Sequence, residues 1–390
     1  MLGEPPNAPG CARSVPSRAP RGAAKVSGSN AMDWLGLGWR AEPLNRPSRQ
    51  HVPVSSARKS RDNAPPAAGL AAHDAVTGVN PTDLTQSMTG RVCLITGATA
   101  GIGEVTARGL AQRGASVVIT GRNHERCAAA VERIKQATGN PTVSFLCADL
   151  SLQSEVRRLA REFQQRHERL HVLINNAGAL FALRRESADG IEMTLALNHL
   201  APFLLTNLLL ETMRASAPAR IINVSSDAHE MVKAIDFDDP EMRSTKRRLQ
   251  RYPREEVASL FFALAAPRSH PALLQYARTK LANLLFTHEL VRRLERTGVT
   301  ANALHPGFVK TGFSAGNGTY GWLMRRGASL FAVSAEVGAR TPIHLATSVE
   351  LERVTGQYFV KQQPAVSSPA SREAAAAERL WRMSAGMTTR

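Results

Sequence analysis

Thr96-Gly97-Ala98-Thr99-Ala100-Gly101-Ile102-Gly103 follows directly on the apolar run Val92-Cys93-Leu94-Ile95 and leads into Glu104–Arg113, whose apolar residues have helical spacing. Strand, glycine turn and helix in this order open a βαβ unit. Gly97, Gly101 and Gly103 permit positive φ and let backbone N–H groups approach a bound anion. The helix that follows turns its positive end to the same point. Without that context, three glycines would mean only a tight turn. With it they predict a cradle for a dinucleotide pyrophosphate, with Thr96 and Ile102 beside the glycines.

Outward from this turn, short apolar runs alternate with longer helical segments. The runs are Ser116–Thr120, Thr142–Leu146, His171–Ile174, Arg220–Val224, Thr300–Leu304 and a late Gln357–Val360. Between them lie Glu125–Ala137, Ser154–His167, Gly190–Ala215 and Leu273–Arg296. Alternation of this kind predicts an α/β Rossmann-type doubly wound parallel sheet of about seven strands with helices on both faces. Gln357–Val360 is expected to close one edge, and Ala375–Met383 reads as a terminal helix. The organisation predicted is a single domain over residues 88–364, with an insertion at about 240–271 and a C-terminal tail over 365–390 carrying a short helix. Residues 1–87 are rich in Pro, Ala, Ser and Arg and lack periodicity, so they are expected to be disordered. A transit peptide and an overextended start preceding Met88 are the other readings of that segment.

The chain has 390 residues, 43% of them hydrophobic, enough to fill a substantial core. Its four cysteines, Cys11, Cys93, Cys127 and Cys147, form no C-x-x-C pair, which argues against a disulfide framework and a zinc site and fits a reducing, cytoplasmic compartment. No metal site is expected. The net charge of +17 is scattered among acidic residues without interleaved aromatics, so no nucleic-acid partner is expected. The most apolar long stretch, Ile191–Met213, contains Glu192, Asn198, His199, Asn207 and Glu211 and does not read as a membrane span.

Two further places carry chemistry. The second strand ends Gly121-Arg122-Asn123. An acid there would bind the adenosine ribose and repel a 2′-phosphate, whereas Arg122 can pair with that phosphate. NADP(H) is therefore the preferred cofactor, with NAD(H) as the alternative if Arg122 only stacks over adenine. Far along the chain, Tyr276-Ala277-Arg278-Thr279-Lys280 places a phenol and an ammonium on one helix face. The ammonium is expected to lower the phenol's pKa, making Tyr276 a general acid for carbonyl reduction or a base for alcohol oxidation. Lys280 is also expected to hold the nicotinamide ribose. On its own, a Tyr-x-x-x-Lys pair is usually an ordinary surface pair.

The G-x-x-x-G-x-G spacing resembles the short-chain dehydrogenase/reductase family, over roughly residues 90–361. That resemblance implies roles for several residues. Asp149, with Leu150 after it, would meet the adenine amino group. Asn175, Ala177 and Gly178 of Asn175-Asn176-Ala177-Gly178 would line the cofactor path, and Asn175 is also expected to tie neighbouring strands. Ser226 matches the catalytic serine, with Ser225 as the alternative if the register shifts. Asn198 matches the asparagine of a proton relay, against a plain role at a helix bend. Pro306, Gly307 and Thr311 would sit beside the nicotinamide.

Asn198-His199-Leu200, Asn223-Val224-Ser225-Ser226-Asp227-Ala228-His229 and Lys280-Leu281-Ala282-Asn283-Leu284-Leu285-Phe286 look like the retinol dehydrogenase-like branch, which includes the WW-domain oxidoreductase type. Two departures stand out. Ala201-Pro202 occupies a place where that branch often has Gly-His. The interval from Ser226 to Tyr276 is longer than usual, with the surplus in the basic segment Pro240–Pro271.

The function implied is an NADP(H)-dependent oxidoreductase interconverting a carbonyl and an alcohol. Tyr320, Trp322, Leu323, Met324 and Phe331 in the loop Gly316–Phe331 suggest a lipophilic small-molecule substrate and peripheral membrane contact, against ordinary lid packing. Relatives pair through the helices bearing Asn198 and Tyr276, so a homo-oligomer is expected. A cofactor-binding scaffold without turnover is the rival reading. A sugar-nucleotide epimerase or dehydratase would need a larger C-terminal domain than follows Phe359.

Overall fold

Apolar, β-branched runs form the strands because they are buried on both faces, as parallel strands must be. They are β1 (Val92–Ile95), β2 (Ser116–Gly121), β3 (Val143–Cys147), β4 (Val172–Asn175), β5 (Ala219–Val224), β6 (Val299–His305), β7 (Tyr358–Val360) and β8 (Gln363–Ala365). The computed structural model describes residues 87–241, 243, 272–307 and 333–389. The expected N-terminal extension up to residue 86, nearly all of the expected insertion, the loop Gly316–Phe331 and Thr311 lie outside the described residues.

The sheet has eight strands in the order β3-β2-β1-β4-β5-β6-β7-β8. Strands β1 to β7 run parallel, and β8 turns back antiparallel on β7. The expected edge at Gln357–Val360 is thus an inner strand, and the edge belongs to β8. This last strand is only Gln-Pro-Ala, too short and too polar to announce itself in the sequence. Strand order reverses between β1 and β4, and in open parallel sheets ligands bind at such a switch, outside the carboxyl ends of the strands.

Helices cover both faces. One face carries α1 (Gly101–Gln112), α2 (His124–Thr138) and α6 (Ala335–Thr347). The other carries α3 (Gln153–Arg166), α4 (Ala201–Ala215) and α5 (Ala272–Arg293). The sequence pattern does not reveal α6, because Gly338 and Pro342 break helical propensity. Packing restores it: α6 lies so close to α1 that a Cβ on Gly109 would meet Ile343 Cδ1 at 2.5 Å.

The segment from Met193 to Ala215 is long and apolar enough to cross a membrane, with mean hydropathy 1.4, but 72% of its most apolar window is buried inside the domain. Phe203, Leu205, Leu209 and Met213 face the sheet and α3, so its apolarity belongs to the core.

The last helix, α7 (Ala374–Thr388), runs further than the expected Ala375–Met383. Polar residues conceal its end, yet Ser384 and Thr388 are buried. Ser384 Oγ meets His199 Nε2 at 2.8 Å. Trp381 packs edge-on against Phe203 of α4 at 5.0 Å and lies beside Phe286 of α5 at 5.8 Å. α7 of the same chain thus packs on part of α4 and α5, two of the helices at which pairing with a second copy is expected.

Candidate active site

The glycine turn joins β1 to α1. Gly97 and Gly101 take positive φ, 66° and 59°, where a side chain would be strained. Gly103 does not, and needs glycine for space: a Cβ there would meet Asn176 Nδ2 at 2.6 Å and the Gly97 carbonyl oxygen at 2.7 Å. A Cβ on Gly97 would meet Ala177 Cα at 2.8 Å. The turn is thus pressed against the end of β4. Thr96 Oγ1 accepts from the backbone N–H groups of Asn176 and Ala177, both at 3.0 Å. Asn176 Nδ2 donates back to the carbonyl of Thr96 at 2.8 Å.

The starts of the first two helices differ. Asn123 caps α2, its side chain accepting from the Arg126 N–H at 2.8 Å. Ala100 at the start of α1 has no side chain that can do this. The first N–H groups of α1 thus have no side-chain cap, a donor set able to hold an anion. Ile102 lies in that first turn, and Arg122 is exposed at the end of β2. Asp149 is half-buried after β3, its Oδ1 accepting from the backbone N–H and the hydroxyl of Ser151. Leu150 is buried in the core of the α3–α5 face.

At the end of β4, Asn175 Nδ2 donates to Asn223 Oδ1 at 2.8 Å and to Thr206 Oγ1 at 3.0 Å. Its side chain locks β4 to β5 and α4. Gly178 lies between Asn198 and Lys280: a Cβ there would be 3.3 Å from Asn198 Oδ1 and 3.7 Å from Lys280 Nζ.

Asn198 sits within a π-helical turn, Ala196–Leu200, where Ala201 N–H bonds the Ala196 carbonyl. Pro202 has no N–H to offer the Asn198 carbonyl four residues back, so the helix widens ahead of it. This is the structural meaning of the Ala201-Pro202 departure. The Asn198 side chain pairs with the Ala179 backbone in both directions at 2.9 Å and donates to Thr279 Oγ1 at 3.2 Å.

At the end of β5, Ser225 and Ser226 divide. Ser225 is buried and donates to the Lys280 carbonyl at 2.8 Å, securing β5 to α5. Ser226 is half-exposed and its hydroxyl is hydrogen-bonded to the Tyr276 phenol. Lys280 Nζ lies 5.4 Å from the Tyr276 ring centroid and donates to the Val224 carbonyl at 2.9 Å. Burial pushes Lys280 down to about 8. The Tyr276 phenol is raised above its ordinary value: burial raises it most, the Ser226 hydrogen bond lowers it, and the Asp227 charge raises it. Burial thus acts against both charged forms, the Tyr276 phenolate and the Lys280 ammonium, and opposes the lowering expected from the ammonium. Pro306 and Gly307, half-buried after β6, lie on the same side of the sheet.

A profile of the short chain dehydrogenase family matches residues 91–235. Human retinol dehydrogenase 12 is 41% identical over 295 residues, 76% of this chain and 85% of the relative. The chain belongs to the short-chain dehydrogenase/reductase family. Its place is in the retinol dehydrogenase-like branch, and it is an NAD(P)-dependent enzyme of that family. A solved protein from Mycobacterium paratuberculosis superposes with a TM-score of 0.59 at 31% identity, covering 78% of this chain and 95% of that one. The active-site complex of Pseudomonas aeruginosa RhlG with NADP superposes with a TM-score of 0.51 at 27% identity, covering 70% of this chain and 95% of that one.

In this dehydrogenase/reductase some site residues escape sequence reasoning. Asn176 pins the glycine turn, and only its place in Asn-Asn-Ala-Gly hints at it. Glu192 is fully buried, accepting from Thr194, Leu195 and Gln275. It ties the start of the Asn198 turn to the residue before Tyr276. Asp227 and Tyr358 also lie near Tyr276, with His305 against Asp227 and His229 against Tyr358. No spacing rule connects them, since they come from three separate elements.

Proposed function

We propose that this enzyme interconverts a carbonyl and an alcohol on a lipophilic substrate, with NADP(H) as the preferred cofactor. The observation that carries the reading is the meeting of Ser226 with Tyr276, beside Lys280 and Asn198, at the strand ends next to the uncapped α1. The glycine turn, the start of α1 and Arg122 would hold the dinucleotide, which when bound would supply or accept the hydride. Tyr276 holds a proton on its phenol oxygen and delivers it to the substrate oxygen. Ser226 orients the substrate oxygen and stabilises charge that develops on it. Asn198 and Thr279 lie behind Lys280 as the inner end of a path for proton resupply.

Arg122 supports the NADP(H) preference: it stands at the end of β2, where an acid would disfavour a 2′-phosphate. The NADP complex of the Pseudomonas relative is consistent with it. A lipophilic substrate is supported by the retinol dehydrogenase relatives and by exposed Leu183 and Met231 in the loops that follow β4 and β5. A cytoplasmic location fits the free thiols Cys93, Cys127 and Cys147.

Turnover of retinal, steroid ketones and simple aldehydes with NADPH and NADH tests the substrate and cofactor readings together. Tyr276→Phe is expected to bind NADPH normally and to lose about 10²–10⁴-fold in turnover. Near-normal turnover in that variant removes Tyr276 as the acid.

A further inference from the structure

Asp227 is a charged group that the reaction above leaves without a task. It follows Ser226 and opens a single helical turn, Asp227–Met231. An acid in a first turn ordinarily serves the helix end, but here both carboxylate oxygens turn back to the site. Oδ1 accepts the Ser226 hydroxyl at 3.0 Å, and Oδ2 lies 3.5 Å from His305 Nε2. The Asp227 backbone N–H donates to His305 Nδ1 at 3.3 Å. That bond assigns the ring proton of a neutral His305 to Nε2, the nitrogen nearer the carboxylate. His305 is nearly enclosed, its side chain 12% exposed, while Asp227 is 68% exposed to solvent.

Ser226 has one proton and two claimants for it. The carboxylate can only accept, and the Tyr276 phenolate, once formed, would accept too. While the Ser226 proton is given to Asp227, the phenolate loses the hydrogen bond that would stabilise it. The negative charge beside it acts in the same direction. The groups facing this cluster are Asp227, His229 and Glu230 on the single turn, Tyr276 and Lys280 on α5, His305 on β6 and Tyr358 on β7. The Tyr358 hydroxyl is buried there without a hydrogen-bond partner among the described residues.

We propose that Asp227, flanked by His305, is a positioning residue that accepts the Ser226 hydroxyl hydrogen bond and thereby sets the pH at which Tyr276 releases its proton. The proposal rests on the reading of Tyr276 as the proton carrier. It holds the phenol in its protonated form, the form that carbonyl reduction consumes, up to a higher pH.

The test compares pH profiles of kcat/KM for wild type, Asp227→Asn and Asp227→Glu. Asp227→Asn removes the charge at constant shape, and its alkaline limb is expected about half to one pH unit lower, an amount limited by solvent screening of an exposed carboxylate. Asp227→Glu should keep the wild-type limb. Added sodium chloride should move the wild-type limb towards that of Asp227→Asn and leave the Asn variant in place; this arm needs no variant that folds differently. A near-ultraviolet tyrosinate titration, with the Tyr276→Phe curve subtracted to isolate Tyr276, reads the same shift without turnover. If no carbonyl is reduced but the Tyr276 titration moves with Asp227, the functional reading fails and the positioning role stands. An unmoved titration and an unmoved limb in Asp227→Asn overturn the proposal.

Discussion

The two ends of the active site are built differently. At the cofactor end the work is done by backbone and by the absence of side chains: Gly97 and Gly103 fit only because nothing projects from them, and the ties around Thr96 and Asn176 run to main-chain atoms. At the chemical end, side chains far apart in sequence meet each other. Ser226 meets Tyr276, Asn198 meets Thr279, and Asn175 meets Asn223. A backbone-built site can be read from a short stretch, because local conformation fixes it. A site built from side chains depends on what the fold places around each group, and its electrostatics follow burial rather than spacing.

The sharpest way to break this contrast is Gly103→Ala. The new methyl meets backbone on two sides, so it cannot be relieved by a rotamer change. We expect about 100-fold weaker NADPH binding by calorimetry and a loss of about 1–3 kcal/mol in unfolding free energy. Tyr276 ionisation should change little. Unaltered NADPH affinity would mean that the turn is not the cradle.

The next effect lies in the chemical half, behind the site. His199 is fully buried against Ser384 and Asn283, and burial pushes it down to about 4. The unfolded chain takes up this proton near pH 6.5, while the folded chain resists until about 4. Stability is therefore whole above 6.5 and falls as pH drops towards 4, by roughly 2 kcal/mol between about pH 7 and pH 5. Denaturant titrations at the two pH values measure it, and His199→Gln should flatten the dependence. An equal slope in that variant would place the acid sensitivity elsewhere.

Arg122→Asp returns to the cofactor half and asks whether one exposed charge selects the dinucleotide. The ratio of NADPH to NADH affinity is expected to fall by about tenfold or more; a constant ratio would remove Arg122 from cofactor choice. The smallest effect is expected for Arg133→Ala. Its guanidinium holds Glu104 at 2.8 and 2.9 Å near the start of α1, but the pair is partly exposed and contributes less than about 1 kcal/mol. A larger loss would show that side chains, and not backbone alone, hold the cradle in shape.

Six of the parallel strands, and the seventh nearly whole, lie where the apolar runs put them, because burial on both faces leaves a plain mark in the chain. Helix α6 leaves none, since Gly338 and Pro342 contradict it locally and only contact with α1 sustains it. The end of α7 is hidden in the same way by Ser384 and Thr388, whose partners lie inside the fold. In the candidate site, spacing alone proposes Tyr276 and Lys280, and the family motif proposes Ser226; the structure brings the three together. The division of labour between Ser225 and Ser226 is not legible, because it depends on which hydroxyl faces α5.

By itself, the sequence determined the sheet, the glycine turn and the helix that brings a phenol and an amine to one face. Each depends on local conformation or on a period of two or of 3.6 residues. Only the tertiary structure decided that burial opposes the Tyr276 phenolate, that Asp227 stands beside it with His305 against that carboxylate, and that α7 packs on α4 and α5. These follow from desolvation and from contacts between distant segments, which no stretch of chain contains.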